Sequence, residues 1–266
     1  SQTASDHQTT EYNNQYGLGK IKAAEGYASL GGYTQGGPVK VAVIDTGVKV
    51  NHPDLKNNIW RNSKEILNGI DDDNNGKIDD IIGWDFVDLE NTELGHPNED
   101  FQTEDNDPDD YFMHGTHVAG IIGAEINNEY LIAGVAPRCK IMALKAGYKD
   151  SNGSGSFTSL SIENAIYYAV NNGANIINMS FGGPNYDAAI ADGVKYAIDN
   201  NVLCVAAAGN DNMKIDASSS VFSPATFDGV FTVSSITNQK EKSDFSNYGP
   251  NVDICAPGND VYSTYY

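Results

Sequence analysis

The run VKVAVIDTGV, residues 39–48, sets the architecture. Apart from Lys40, its first six residues are apolar and mostly β-branched, without the polar alternation of a half-wet strand. That pattern suits a short strand over residues 39–44, buried on both faces of a sheet. It gives out at Asp45-Thr46-Gly47, so a carboxylate stands where a buried strand opens into a turn.

Reading outward, strands are expected at residues 140–144, 174–179, 202–207, 230–234 and 252–255. Helices are expected at 117–125, 160–171 and 187–200. Strands alternating with helices of ten or more residues predict an α/β fold, a doubly wound, mostly parallel sheet with helices on both faces. Such sheets bind ligands at the carboxyl ends of their strands. Asp45, Ser180 and Asn210 each follow a strand and are placed to face one crevice. Residues 57–110 carry few periodic apolar positions and many Asp, Asn and Gly, so they read as a long loop insertion in one domain spanning 1–266.

Charge narrows the partners. The 266 residues hold 16 bases and 36 acids, a net charge of −20. Between Glu65 and Asp110 there are 17 acids and one base, Lys77, an excess of 16 in 46 residues. Such a chain repels phosphate backbones and anionic lipid, so nucleic-acid and membrane partners are not expected. No stretch of 18 apolar residues is present, and the opening residues do not read as a signal peptide. Cys139, Cys204 and Cys255 each lie in or beside an apolar run and read as buried free thiols. A phosphate-cradling glycine loop is absent, which sets aside a nucleotide-binding α/β protein.

Five motifs occur in order: VAVIDTGV with Asp45, MHGTHVAGII with His114 and His117, MSFGG from Met179, VAAAGNDN with Asn210, and ICAPG from Ile254. Together they resemble the subtilase family of serine peptidases, from about Tyr16 onward. The resemblance implies roles that fit the residue types. A serine hydroxyl needs an imidazole to take its proton, which falls to His114. Asp45 would fix the tautomer of that imidazole, and Asn210 would donate to the oxyanion. His117 reads as a structural helix residue. The family's nucleophile belongs in a Gly-Thr-Ser segment some way after Gly258, and no Gly-Thr-Ser occurs here. Ser263 falls in a segment that the family places before the nucleophile. Three explanations stay open: a truncated piece, a nicked enzyme whose C-terminal fragment is another chain, or a catalytically silent peptide-binding relative. The fold is accordingly expected to stop short of the C-terminal helices.

The resemblance also implies a cleft for extended polypeptide. Gly153-Ser154-Gly155 and Ser180-Phe181-Gly182 would pair with substrate backbone. Phe157, Leu160 and Phe181 would line an apolar S4 pocket, and Ala207-Ala208-Gly209 one wall of S1. An inhibitory pro-segment is a further partner that the family implies, and secretion a further property.

Calcium is the expected cofactor. Residues 71–80, DDDNNGKIDD, match the first half of an EF-hand loop. Asp71, Asp73 and Asn75 offer oxygens at alternate positions, Gly76 the turn, and Lys77 its carbonyl. Ile82 stands where the closing Glu belongs, so Asp80, Asp79 or a folded-back Glu65 must complete the shell. By resemblance, a second site would use Asp54, the Asn128 side chain and the carbonyls of Ile126, Tyr130 and Ile132. Asp105, Asp107 and Asp110 form either a third site or a solvated acidic loop.

Overall fold

A computed structural model describes residues 14–29 and 38–265. In chain order its elements are α1 (Tyr16–Lys20), α2 (Ala23–Ser29), β1 (Lys40–Asp45), β2 (Gly83–Asp85), α3 (His114–Gly123), β3 (Lys140–Lys145), β4 (Gly147–Lys149) and β5 (Gly155–Phe157). They continue with α4 (Ser159–Asn171), β6 (Ile176–Met179), β7 (Gly183–Pro184), α5 (Ala188–Asp199), β8 (Leu203–Ala207), β9 (Phe222–Ser223), β10 (Phe231–Ile236) and β11 (Ile254–Pro257).

Seven strands form one parallel sheet in the order β11-β10-β8-β6-β1-β3-β2. The continuous apolar runs are explained by its two covered faces. Ala42, Ile44, Met142 and Leu144 join Ile162, Ile166 and Val194 of α4 and α5 in one core cluster. Their neighbours Val41, Val43, Ile141 and Ala143 join Ala119 of α3 in another. Successive residues of β1 and β3 thus serve opposite layers, as strand pleating dictates. The α/β sheet with helices on both faces is therefore the observed architecture.

Caps set the helix starts. Thr158 accepts from the Ser161 amide and Asp187 from the Ile190 amide, so each stands just outside its helix. Helix α3 begins at His114 rather than at 117, and no side chain at its N-cap, Met113, caps it. Asp110, four residues before His114, supplies the acceptor: its carboxylate takes the amides of Phe112, Met113 and Thr116 at 3.1, 2.7 and 2.8 Å.

The insertion corrects the reading of residues 57–110 as loop throughout. Within it, Gly83-Trp84-Asp85 pairs with Ala143-Leu144-Lys145 and forms an edge of the sheet. A buried lysine pins it there: Lys145 Nζ lies 2.5 Å from Asp85 Oδ2 and 3.3 Å from Glu99 Oε1, with Asp100 O a further acceptor. Burial pulls the ammonium towards neutrality, but these carboxylates outweigh it and hold its pKa above the ordinary lysine value. The thiols need one correction. Cys139 and Cys204 are buried, and burial pushes each up to about 11, whereas Cys255 on edge strand β11 is exposed.

Candidate active site

The register of the sheet assembles the site. Ile44 is level with Met179, and Met179 with Ala206, so Asp45, Ser180 and Ala207 arrive together at the carboxyl edge. Helix α3 enters over this edge from the other layer. A Cβ on Gly115 would lie 2.0 Å from Gly47 O and 2.9 Å from Asp45 Cβ, so only glycine lets the helix start this close to the turn.

That approach brings two sequence-predicted residues into contact. His114 Nδ1 lies 2.6 Å from Asp45 Oδ1. The Asp45 side chain is fully buried, while 43% of the His114 side chain is exposed, so the imidazole stands between a buried carboxylate and solvent. Asp45 Oδ1 also accepts the Thr46 amide at 2.8 Å, and Oδ2 has no partner among the described residues. Burial lowers the pKa of His114, but the hydrogen bond and charge of Asp45, with the charge of Asp110, reverse this and raise it above the ordinary imidazole value. His117 takes no part: its Nε2 meets Val261 O at 3.1 Å, and Ser263 Oγ donates to the His117 carbonyl.

His114 opens onto a cleft of about 720 Å³ that Gly155, Phe157, Ser180, Phe181, Gly182, Ala207, Gly209 and Asn210 also line. Asn210 is exposed beyond the end of β8, and its side chain has no partner among the described residues. The backbone before it turns through Gly209 at φ 101°. The rings of Phe157 and Phe181 sit 4.7 Å apart and make an apolar wall. Leu160 is not part of that wall; its side chain is exposed outside the cleft. Gly153 and Ser154 likewise lie outside, in the β4–β5 turn, where Gly153 N and Ser154 N donate to Asp150. Ala208 is buried below the cleft floor against Ile215, Phe222 and Ala225.

Two residues that shape the site carried no sequence signal for that role. Asp110 is fully buried and accepts from Thr46 Oγ1 and Thr116 Oγ1 besides the helix amides. That places it inside the α3 cap and not in an acidic trio with Asp105 and Asp107. Asn247, also fully buried, donates to Ala208 O and accepts the amides of Asp211 and Met213, gripping the turn that presents Asn210.

The candidate metal ligands divide. Carboxylate oxygens of Glu65, Asp71 and Asp73 lie within 4.8 Å of one another. The Asn75 amide donates to Asp71 and Asp73, the Lys77 amide to Asn75 Oδ1, and Gly76 turns at φ 87°. Asp80 turns away, its oxygens engaged by Asn62, Asn75 and the Tyr168 hydroxyl, and Asp79 accepts the amides of Asn68 and Gly69. Of the three residues expected to complete the shell, Glu65 converges with Asp71 and Asp73, whereas Asp79 and Asp80 are engaged elsewhere. Elsewhere Asp54 is buried and accepts from Asn128 Nδ2 and the Ile132 amide at 2.6 and 3.1 Å. The Tyr130 amide donates to Asn128 Oδ1. Gln15 docks beside them through both bonds of its amide to Ala133. A further trio, Asp85, Asp100 and Asp105, also converges within 4.8 Å.

Comparisons with known proteins identify the family. A model of the subtilase family matches residues 36–266. The thermophilic serine proteinase of Bacillus sp. (strain AK1) is 39% identical over 225 residues, 85% of this chain and 45% of that protein. The chain thus spans under half the length of that relative. Thermitase of Thermoactinomyces vulgaris is 35% identical over 95% of this chain and 73% of its own. The major intracellular serine protease of Bacillus subtilis (strain 168) is 36% identical over 93% and 66%. Among solved structures, a protease from Pseudoalteromonas arctica superposes with a TM-score of 0.70 at 25% identity, covering 97% of this chain and 73% of that one. The chain belongs to the subtilase family.

Proposed function

We propose that the chain is the Asp–His portion of a calcium-stabilised serine endopeptidase whose nucleophilic serine lies outside these 266 residues. One observation carries the reading: the 2.6 Å contact between Asp45 Oδ1 and His114 Nδ1 at the rim of an open cleft. With Nδ1–H donated to the carboxylate, the neutral imidazole keeps its lone pair on Nε2. The serine proton passes to Nε2 as its oxygen bonds the scissile carbonyl carbon. The carbonyl oxygen becomes an oxyanion, towards which the Asn210 amide donates. On collapse the C–N bond breaks and Nε2 returns the proton to the leaving amine. Water then repeats the sequence on the acyl-enzyme.

Substrate is read as an extended polypeptide, lying along Gly155 and Ser180-Phe181-Gly182 with an apolar side chain against Phe157 and Phe181. A pro-segment would occupy the same edges. For calcium, the converging carboxylates of Glu65, Asp71 and Asp73 supply a hard-oxygen donor set that fits the ion. Bound there, it would neutralise their repulsion and stabilise the loop without entering the chemistry. Secretion is carried over from the resemblance, although one relative is named as intracellular. No helix of the described residues is long and apolar enough to cross a membrane.

Fluorophosphonate labelling tests the proposal. The 266-residue chain should stay unlabelled, and a polypeptide continuing past Tyr266 should label only while His114 is intact. Labelling of any serine in residues 1–266, or undiminished labelling after His114→Ala, would refute it.

A further inference from the structure

A second cavity lies at the opposite, amino-terminal edge of the sheet. It is open to solvent and spans about 740 Å³, and Lys40, Lys56, Arg61, Lys64 and Lys140 line it together. Among the described residues no acid lines it, although the chain's 36 acids outnumber its 16 bases more than two to one. A chain this acidic has gathered nearly a third of its cations around one hollow.

The cations are not there to pair with protein acids. Lys40 and Lys140 open β1 and β3 and are direct register partners, so two lysine side chains leave neighbouring strands at the same level, where like charges disfavour each other. Each spends one donor on a backbone carbonyl, Lys40 on Asn172 O at the end of α4 and Lys140 on Asn57 O, which leaves further N–H donors on both. Lys56 and Arg61 are exposed and have no ionic partner among the described residues, and Lys64 meets Asp73 only at 3.7 Å, on the rim. Asn171 adds an amide to the same lining, while the side-chain amides of Asn57 and Asn172 are engaged by Glu125 and by Tyr168 O.

We propose that this cavity binds a compact multivalent oxyanion, several phosphate or sulfate groups on one small scaffold. Its volume is that of a small-molecule site. Arg61 offers the planar fork that pairs with tetrahedral oxyanions, and the lysines offer point charges around it. Compactness follows from the rest of the chain. Screening confines the attraction to within about 8 Å at physiological salt, and a long polyanion would run past Lys64 into the carboxylates of Glu65, Asp71 and Asp73.

Calorimetric titration with inositol hexasulfate at fixed ionic strength tests this; sulfate esters do not chelate calcium as polyphosphates do. Binding is expected, weakened about tenfold or more in the Lys56→Gln/Arg61→Gln double variant and unchanged in Lys195→Gln, a surface charge elsewhere. Both target side chains are exposed, so near-ultraviolet circular dichroism should show an intact fold. On the unaltered protein, the same probe should protect Lys56 and Lys140 from acetylation while Lys195 reacts as before. Absence of binding, equal weakening in Lys195→Gln, or no protection would overturn the proposal. Tighter binding of hexaglutamate or duplex DNA than of the hexasulfate would overturn its compact-oxyanion identity.

Discussion

The Thr46 hydroxyl donates to Asp110 Oδ1 at 3.0 Å, tying the turn after β1 to the cap of α3. The same hydroxyl oxygen accepts the Gly115 amide at 3.1 Å. Asp45 precedes Thr46 and His114 precedes Gly115, so this clasp sets the spacing of the candidate pair from behind.

Asp110→Ala should therefore destabilise the protein by about 2–4 kcal/mol, because it strands buried amides and hydroxyls that the carboxylate now satisfies. Asp109→Ala, which removes only the partly exposed pair with Lys49, should cost under about 1 kcal/mol. Urea midpoints of the two variants measure the contrast, and equal midpoints would contradict the clasp.

The raised pKa of His114 has a defined sign. A folded-state value above the unfolded one stabilises the protein at pH below the unfolded imidazole pKa, about 6.5, and that contribution fades as pH rises through the folded value. Asp45→Asn removes the carboxylate charge that offsets burial, so the imidazole should titrate at lower pH than in the unaltered protein. NMR titration of the His114 ring protons reads this directly, and an unmoved midpoint would count against the pair.

The Asn247 side chain makes four hydrogen bonds to the turn bearing Asn210, and a Cβ on Gly209 would lie 2.4 Å from its Nδ2. Asn247→Ala should cost about 2–4 kcal/mol and free the amides of Asp211 and Met213. Hydrogen exchange should quicken at those two amides more than in the strands. A uniform change would mean that Asn247 serves global stability alone.

If calcium occupies the 65–77 loop, chelation with EGTA should lower the melting temperature by about 5–10 °C, from about 2.7 kcal/mol of linkage at a hundredfold excess over Kd. Glu65→Gln with Asp73→Asn should abolish most of the difference between chelated and calcium-loaded samples. A melt indifferent to EGTA would remove the calcium claim.

The sequence disclosed the parallel sheet because runs such as VKVAVID are buried on both faces, and burial writes itself into composition. The Asp45–His114 pair was legible through its motifs. Strand β2 was not: three residues have no periodicity, and only pairing with β3 makes Gly83-Trp84-Asp85 a strand. Asp110 looked like any of its acidic neighbours, since a cap is known by the amides it meets. Asn247 lies 37 positions from Asn210, a separation that no local pattern spans. Exposure of Cys255 was equally hidden, because an apolar run does not say which strand lies at an edge.

Strand β2 also bears on how the molecule meets its own copies. Its outer side exchanges backbone bonds with Asp105 in both directions at Asp85. An incoming chain would find only three residues, one without a side chain and another, Asp85, already partnered by Asp105. That flank therefore offers little of the open ladder of amides and carbonyls that templates fibre-like growth.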